Sequence, residues 1–150
     1  MRDELMRVLA WAAAVPQACG AQNDPLVARA IHTPLGTMIA AAARDGLSLL
    51  EFADRPALER EVQDLARLLS RPFVADPTIA DPSSDRHDAA DRPARIWPGI
   101  EHLELVTREL NAYFAGESRD FTVSLSLPGT PFERNVWAAL QRIPYGETTS

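Results

Sequence analysis

Between residues 26 and 52 nearly every side chain is small, β-branched or aliphatic, and turn chemistry interrupts the run twice, at Thr33-Pro34-Leu35-Gly36 and at Arg44-Asp45-Gly46. Asp-Gly is a strong hairpin signal, because glycine takes a positive φ without a Cβ clash. The pattern predicts three short strands, with residues 38–42 and 47–52 paired antiparallel. Whatever else the chain forms must cover a sheet made from this run.

Two amphipathic stretches are suited to that task. Asp54 can accept the free amides of a helix start and Pro56 fits a first turn, so a helix is predicted from there. Leu58, Val62, Leu65 and Leu69 then fall on one face, opposite Glu59, Arg60, Glu61, Asp64 and Arg67. A second helix is written over residues 100–114, with Ile100, Leu103, Val106 and Leu110 in register and Gly116 where helices end. Between them, residues 71–98 hold five prolines among Asp, Arg and Ser and read as a long surface excursion, with Phe73-Val74 as a brief strand before it.

The end of the chain is marked more sharply. Phe121, Val123 and Leu125 alternate with Thr122, Ser124 and Ser126, predicting an extended segment. Thr130-Pro131-Phe132-Glu133 is a capping box with proline at the first helical position. Phe132, Val136, Trp137 and Leu140 make the apolar face of the helix it starts, and Ile143-Pro144-Tyr145-Gly146 stops it. That face either folds back on the sheet or is left for a partner.

Composition excludes several classes. Fifteen Lys and Arg against 21 Asp and Glu give a net charge of −6, the reverse of the basic footprint that neutralises phosphates, so weak or no DNA binding is expected of these residues alone. The apolar start around Trp11 is broken by Arg7 and Pro16 and is too short for a membrane span. Asp3, Glu4 and Arg7 spoil a signal-peptide pattern, which leaves a short packing helix or a linker for residues 1–25. A single cysteine, Cys19, forms no internal disulfide and fits a reducing cytoplasm.

No active site can be assembled from spacing. Cys19 sits among Pro16, Gln17, Ala18 and Gly20, with no cation or histidine to lower its pKa. His32, His87 and His102 are too far apart in sequence to share a helix face, and one cysteine is too few for a structural zinc site. Glu59 and Glu61 cannot share a face, Glu101, Glu104 and Arg108 suit an exposed ladder, and no glycine-rich phosphate loop occurs. The expected catalytic residues, metal ligands and cofactors are therefore none, and no DNA-contacting residue is assigned.

The stretch Pro128-Gly129-Thr130-Pro131-Phe132-Glu133-Arg134-Asn135-Val136-Trp137, followed by Ala139-Leu140 and Ile143-Pro144-Tyr145-Gly146-Glu147-Thr148, resembles the O6-alkylguanine-DNA alkyltransferases, or methylated-DNA–protein-cysteine methyltransferases. Upstream, Thr33-Pro34-Leu35-Gly36, Asp45-Gly46-Leu47, Leu49-Leu50-Glu51-Phe52 and residues 110–116 resemble the same family's N-terminal domain. The likeness runs from about residue 26 to 150, leaving out the 71–98 loop. It implies an α+β fold: a small antiparallel ribonuclease-H-like sheet with covering helices over 26–127, then the first helix of a helix-turn-helix domain over 128–150. Residues 1–25 lie outside it as an N-terminal extension or linker, with Met1 to Asn23 expected to be the remnant of a link to the transcriptional regulator that is fused upstream in some bacterial members of the family.

The resemblance also implies repair of O6-alkylguanine in double-stranded DNA by direct alkyl transfer to a protein cysteine, with no cofactor and in the cytoplasm. The extruded base delivers its alkyl group to the thiolate of a Pro-Cys-His-Arg motif. That motif, and the arginine and recognition helix that accompany it in the family, have no counterpart among these 150 residues, and Cys19 does not inherit the role. The family's zinc, held in some members by the N-terminal domain, is not supported. The expectation is a chain inactive by itself, or a non-catalytic domain that binds a separate C-terminal chain.

Overall fold

The computed structural model describes residues 2–14, 24–76 and 97–148. Its elements are α1 (Arg2–Ala13), β1 (Leu26–Thr33), β2 (Gly36–Ala43), β3 (Gly46–Phe52), α2 (Leu58–Leu69), β4 (Phe73–Ala75), α3 (Ile100–Phe114) and α4 (Pro131–Leu140). Cys19, His87 and most of the proline-rich stretch lie outside the described residues.

The three predicted strands form an antiparallel meander, and the sheet has the order β3-β2-β1-β4. The brief strand expected at Phe73-Val74 is β4. It departs from an all-antiparallel sheet, because it runs parallel to β1, with Leu26 opposite Phe73. The reason is topological: α2 returns the chain along one face, and a strand that follows such a crossover arrives in the same direction as its neighbour.

Alternation along the strands sends side chains to two faces, and both are covered. Leu26, Ala28, Ala30, Ile39, Ala41 and Ala43 join Val8 and Ala12 of α1 and Leu58, Val62, Leu65 and Ala66 of α2. Val27, Ile31, Met38, Ala40, Ala42 and Leu47 face Leu103, Val106 and Leu110 of α3. A strand buried on both sides has no polar alternation, which is why β2 reads as an unbroken apolar run. Each fully buried leucine or valine contributes roughly 1.5–3 kcal/mol. The alanines of β2 let α3 approach closely. A Cβ on Gly99, which has φ +102°, would lie 2.7 Å from the Ala42 carbonyl oxygen.

α1 is a packing helix, with Val8 and Ala12 buried against α2 and the sheet and Arg7 5.7 Å from the Trp11 ring centroid. α2 begins at Leu58, later than the cap expected at Asp54 and Pro56, and Ala57 caps it with no side-chain bond. Residues 53–57 turn first, with the Arg55 amide donating to Phe52 O and the Leu58 amide to Arg55 O. Tying Ala53 N to Thr37 O keeps the chain on the sheet until Ala53, so it cannot enter a helix at Asp54.

Buried polarity is concentrated at one place. Arg29 on β1 reaches Asp76 just after β4, Nε to Oδ2 2.6 Å, and Thr107 on α3, Nη1 to Oγ1 3.5 Å. The Asp76 carboxylate is fully buried. The pair joins β1, β4 and α3, and no sequence spacing announces it.

Candidate functional site: a groove beside the C-terminal helix

After α3 the helix ends at Gly116, and residues 121–127 run extended along the start of β3. The Leu47 amide donates to Ser124 O at 2.8 Å and the Ser126 amide to Leu47 O at 2.9 Å, a single parallel bridge in place of a full strand. Gly46 permits this approach: with φ +138° it makes the hairpin turn, and a Cβ there would lie 2.6 Å from the Ser124 oxygen.

Two carboxylates fasten the same segment. Glu109 on α3 accepts the Thr122 amide at 2.7 Å, its hydroxyl at 2.6 Å and the Val123 amide at 3.3 Å. Burial pushes the Glu109 carboxyl up, but these bonds together outweigh it and hold the group below its ordinary range. Asp45 accepts from Arg71 at 2.8 Å and from the Ser126 hydroxyl at 2.7 Å, and the Arg71 bond first of all holds its carboxyl low.

The chain then turns at Gly129 into α4. The capping box is complete: the Glu133 amide donates to Thr130 Oγ1 at 3.3 Å, and Thr130 N donates to the Glu133 carboxylate at 2.7 Å. That backbone bond, with the Thr130 hydroxyl, keeps the Glu133 carboxyl below its ordinary range. A Cβ on Gly129 would meet the Trp137 ring at 2.6 Å.

No residue of α4 is buried. Phe132, Val136 and Leu140, of the face expected either to fold back on the sheet or to be left for a partner, are 76%, 40% and 56% exposed. The bridge to β3, Glu109 and Asp45 tie residues 121–126 to the body, while α4 beyond them buries no side chain. Between α4 and residues 121–127 lies an open groove of about 940 Å³. Phe121, Leu125, Leu127, Leu140 and Ile143 line it, with Arg134 and Gln141 as polar members.

The other candidate residues do not converge. His32 at the end of β1 is exposed, its Nδ1 3.3 Å from Thr37 Oγ1. His102 on α3 sets Nε2 3.3 Å from Arg44 O. Among the described residues no three His, Cys, Asp or Glu side chains group as metal ligands. Glu101, Glu104 and Arg108 are exposed. The arrangement offers an apolar surface with a guanidinium beside it, and no nucleophilic side chain is among its described lining residues. Sequence reasoning missed Glu109 as a fastener of this region, since its partners Thr122 and Val123 lie 13 and 14 residues away.

No family model matches the chain. Curated relatives do. The constitutive methylated-DNA–protein-cysteine methyltransferase of Bacillus subtilis is 56% identical over 49 residues, 33% of this chain and 30% of that protein. The methylated-DNA–protein-cysteine methyltransferase of Mycobacterium leprae is 57% identical over 65 residues, 42% of this chain and 39% of that protein. Over these segments the chain is similar to methylated-DNA–protein-cysteine methyltransferases. Its fold agrees: a crystal structure of the Mycobacterium tuberculosis O6-methylguanine methyltransferase matches with a TM-score of 0.52 and 28% identity, over 82% of this chain and 55% of that one. The matches to the curated methyltransferases span about a third of their length. The α+β class holds with it, a four-stranded sheet between helices. No helix among the described residues is long and apolar enough to cross a membrane.

Proposed function

We propose that the chain serves in the repair of O6-alkylguanine in DNA, as the sheet domain (residues 26–127) and first helix (within 128–150) of a methyltransferase. The observation that carries this reading is the 56% identity to the Bacillus subtilis enzyme, supported by a fold match to the tuberculosis protein. In the reaction a cysteine thiolate bonds to the alkyl carbon as the bond from that carbon to O6 breaks, and the guanine anion that leaves takes up a proton to restore guanine. Reaching O6 requires the base to leave the stack. The 150 residues supply the scaffold and the groove beside α4, and Cys19 has no activating neighbour in sequence. Alkylated double-stranded DNA is the partner of a form that carries the acceptor cysteine, and the −6 charge makes these residues weak DNA binders alone. A reducing cytoplasm suits such a thiol.

The test is transfer of a labelled methyl group from O6-methylguanine DNA. A form extended through a Pro-Cys-His-Arg stretch becomes labelled once per molecule, whereas the 150-residue chain stays unlabelled. Label on Cys19 would overturn the inactive reading, and an unlabelled extended form would overturn repair itself.

A second reading rests on the exposed Phe132, Val136 and Leu140: a non-catalytic domain that docks a separate C-terminal chain. Sedimentation of the two chains together decides it, since two independent boundaries leave no complex to discuss.

A further inference from the structure

α4 has ten residues and buries none of them, and a helix that short is marginal in water by itself. Its N-terminal end is fixed by the capping box and by Trp137 against Gly129. Beyond its C-terminal end the turn at residues 143–146 brings Tyr145 back to the body of the molecule. The Tyr145 ring stands edge-on to Tyr113 at the end of α3, with centroids 6.4 Å apart, and the Arg119 guanidinium lies 4.7 Å from its centroid. Tyr113 in turn packs 5.6 Å from Phe121, which lines the groove. The neighbouring Tyr145 hydroxyl, first of all, pushes the Tyr113 hydroxyl above its ordinary pKa. Tyr145 itself remains 62% exposed, so burial does not account for its place.

We propose that Tyr145, clasped by Tyr113 and Arg119, is a positioning residue that holds the C-terminal end of α4 beside residues 121–127 and so sets the width of the groove on which the rest of a methyltransferase domain is assembled. The assembly role rests on the repair reading above; the clasp does not. An aromatic pair and a cation over a ring are each modest when exposed, and together they shift the docking equilibrium of α4 about tenfold.

Amide hydrogen exchange on the 150-residue chain tests the clasp, with residues 36–52 as an internal standard. Tyr145→Ala speeds exchange of residues 131–142 about tenfold and leaves 36–52 unchanged. Tyr145→Phe keeps the ring contacts and stays within about twofold, and Arg119→Ala falls between them. Exchange of 131–142 in Tyr145→Ala equal to that of the unmodified chain overturns the proposal. Should 36–52 also accelerate in that variant, Arg119→Ala decides, and unchanged α4 exchange there overturns it. In the form carrying a Pro-Cys-His-Arg stretch, Tyr145→Ala slows methyl transfer and Tyr145→Phe restores it; equal rates in all three overturn the positioning role. An unmodified extended form that transfers no methyl group fails the repair reading and leaves the exchange result standing.

Discussion

Helices α3 and α4 both carry an apolar stripe, yet α3 buries Leu103, Val106 and Leu110 completely or nearly so, while α4 leaves Phe132 three-quarters exposed. Their starts are reversed in quality. α3 begins at Gly99 with no side-chain cap, and α4 begins with a full capping box. A cap contributes roughly 0.5–2 kcal/mol and decides where a helix starts. Burial of several leucines contributes more and decides whether the helix is part of a core. The contrast teaches that a strongly marked helix and a strongly held helix are different things: α4 has the better cap and yet buries none of its residues.

The largest effect expected of a single change is at the polar centre of the sheet body. Asp76→Ala leaves the buried Arg29 guanidinium without that carboxylate and lowers stability by about 3–5 kcal/mol in urea unfolding of the 150-residue chain. A loss under about 1 kcal/mol would mean the pair is better solvated than its burial indicates.

Next comes the α3 face. Leu103 is fully buried, and Leu103→Ala costs about 3 kcal/mol through lost burial and a cavity. Calorimetry or urea unfolding reads it.

Acid acts more gently and on the fastening of residues 121–126. Because the folded Glu109 and Asp45 carboxyls lie below their ordinary values of 4.5 and 3.8, their contribution is complete above those values and is lost as pH falls through the lower folded ones. The Thr122, Val123 and Ser126 amide shifts therefore stay constant from about pH 7 to 5 and move below about pH 4. Movement near neutrality would place control in another group.

The smallest effect completes the comparison. Leu140→Ala, on a helix with the same kind of apolar stripe, changes stability by no more than about 0.5 kcal/mol. A loss equal to that of Leu103→Ala would erase the distinction between the two helices and show α4 to be part of the core.

Much of this architecture was legible in local rules. The Asp45-Gly46 turn, the strands on either side of it, the 3.6-residue stripe of α3 and the Thr130 capping box each involve residues within a few positions of one another, and each stands where the pattern put it. The groove was only half legible: the apolar faces that line it could be read, but not that both remain open. Other features depend on atoms that meet from far apart in the chain. The late start of α2 follows from Ala53 pairing with Thr37, and β4 runs parallel because α2 crosses the sheet. Gly99 is needed because α3 presses on Ala42, and Gly46 is needed a second time because Ser124 lies against it.

The sequence by itself determined which segments become strands and helices and where the sharpest turns fall, since propensity, capping and periodicity act over one or two turns of chain. Only the tertiary structure decided which apolar faces are buried, that Arg29 meets Asp76 across 47 residues, and that Tyr145 returns to Tyr113 and Arg119. Those outcomes depend on how the sheet is ordered and on which surfaces it leaves uncovered, and no local pattern carries that information.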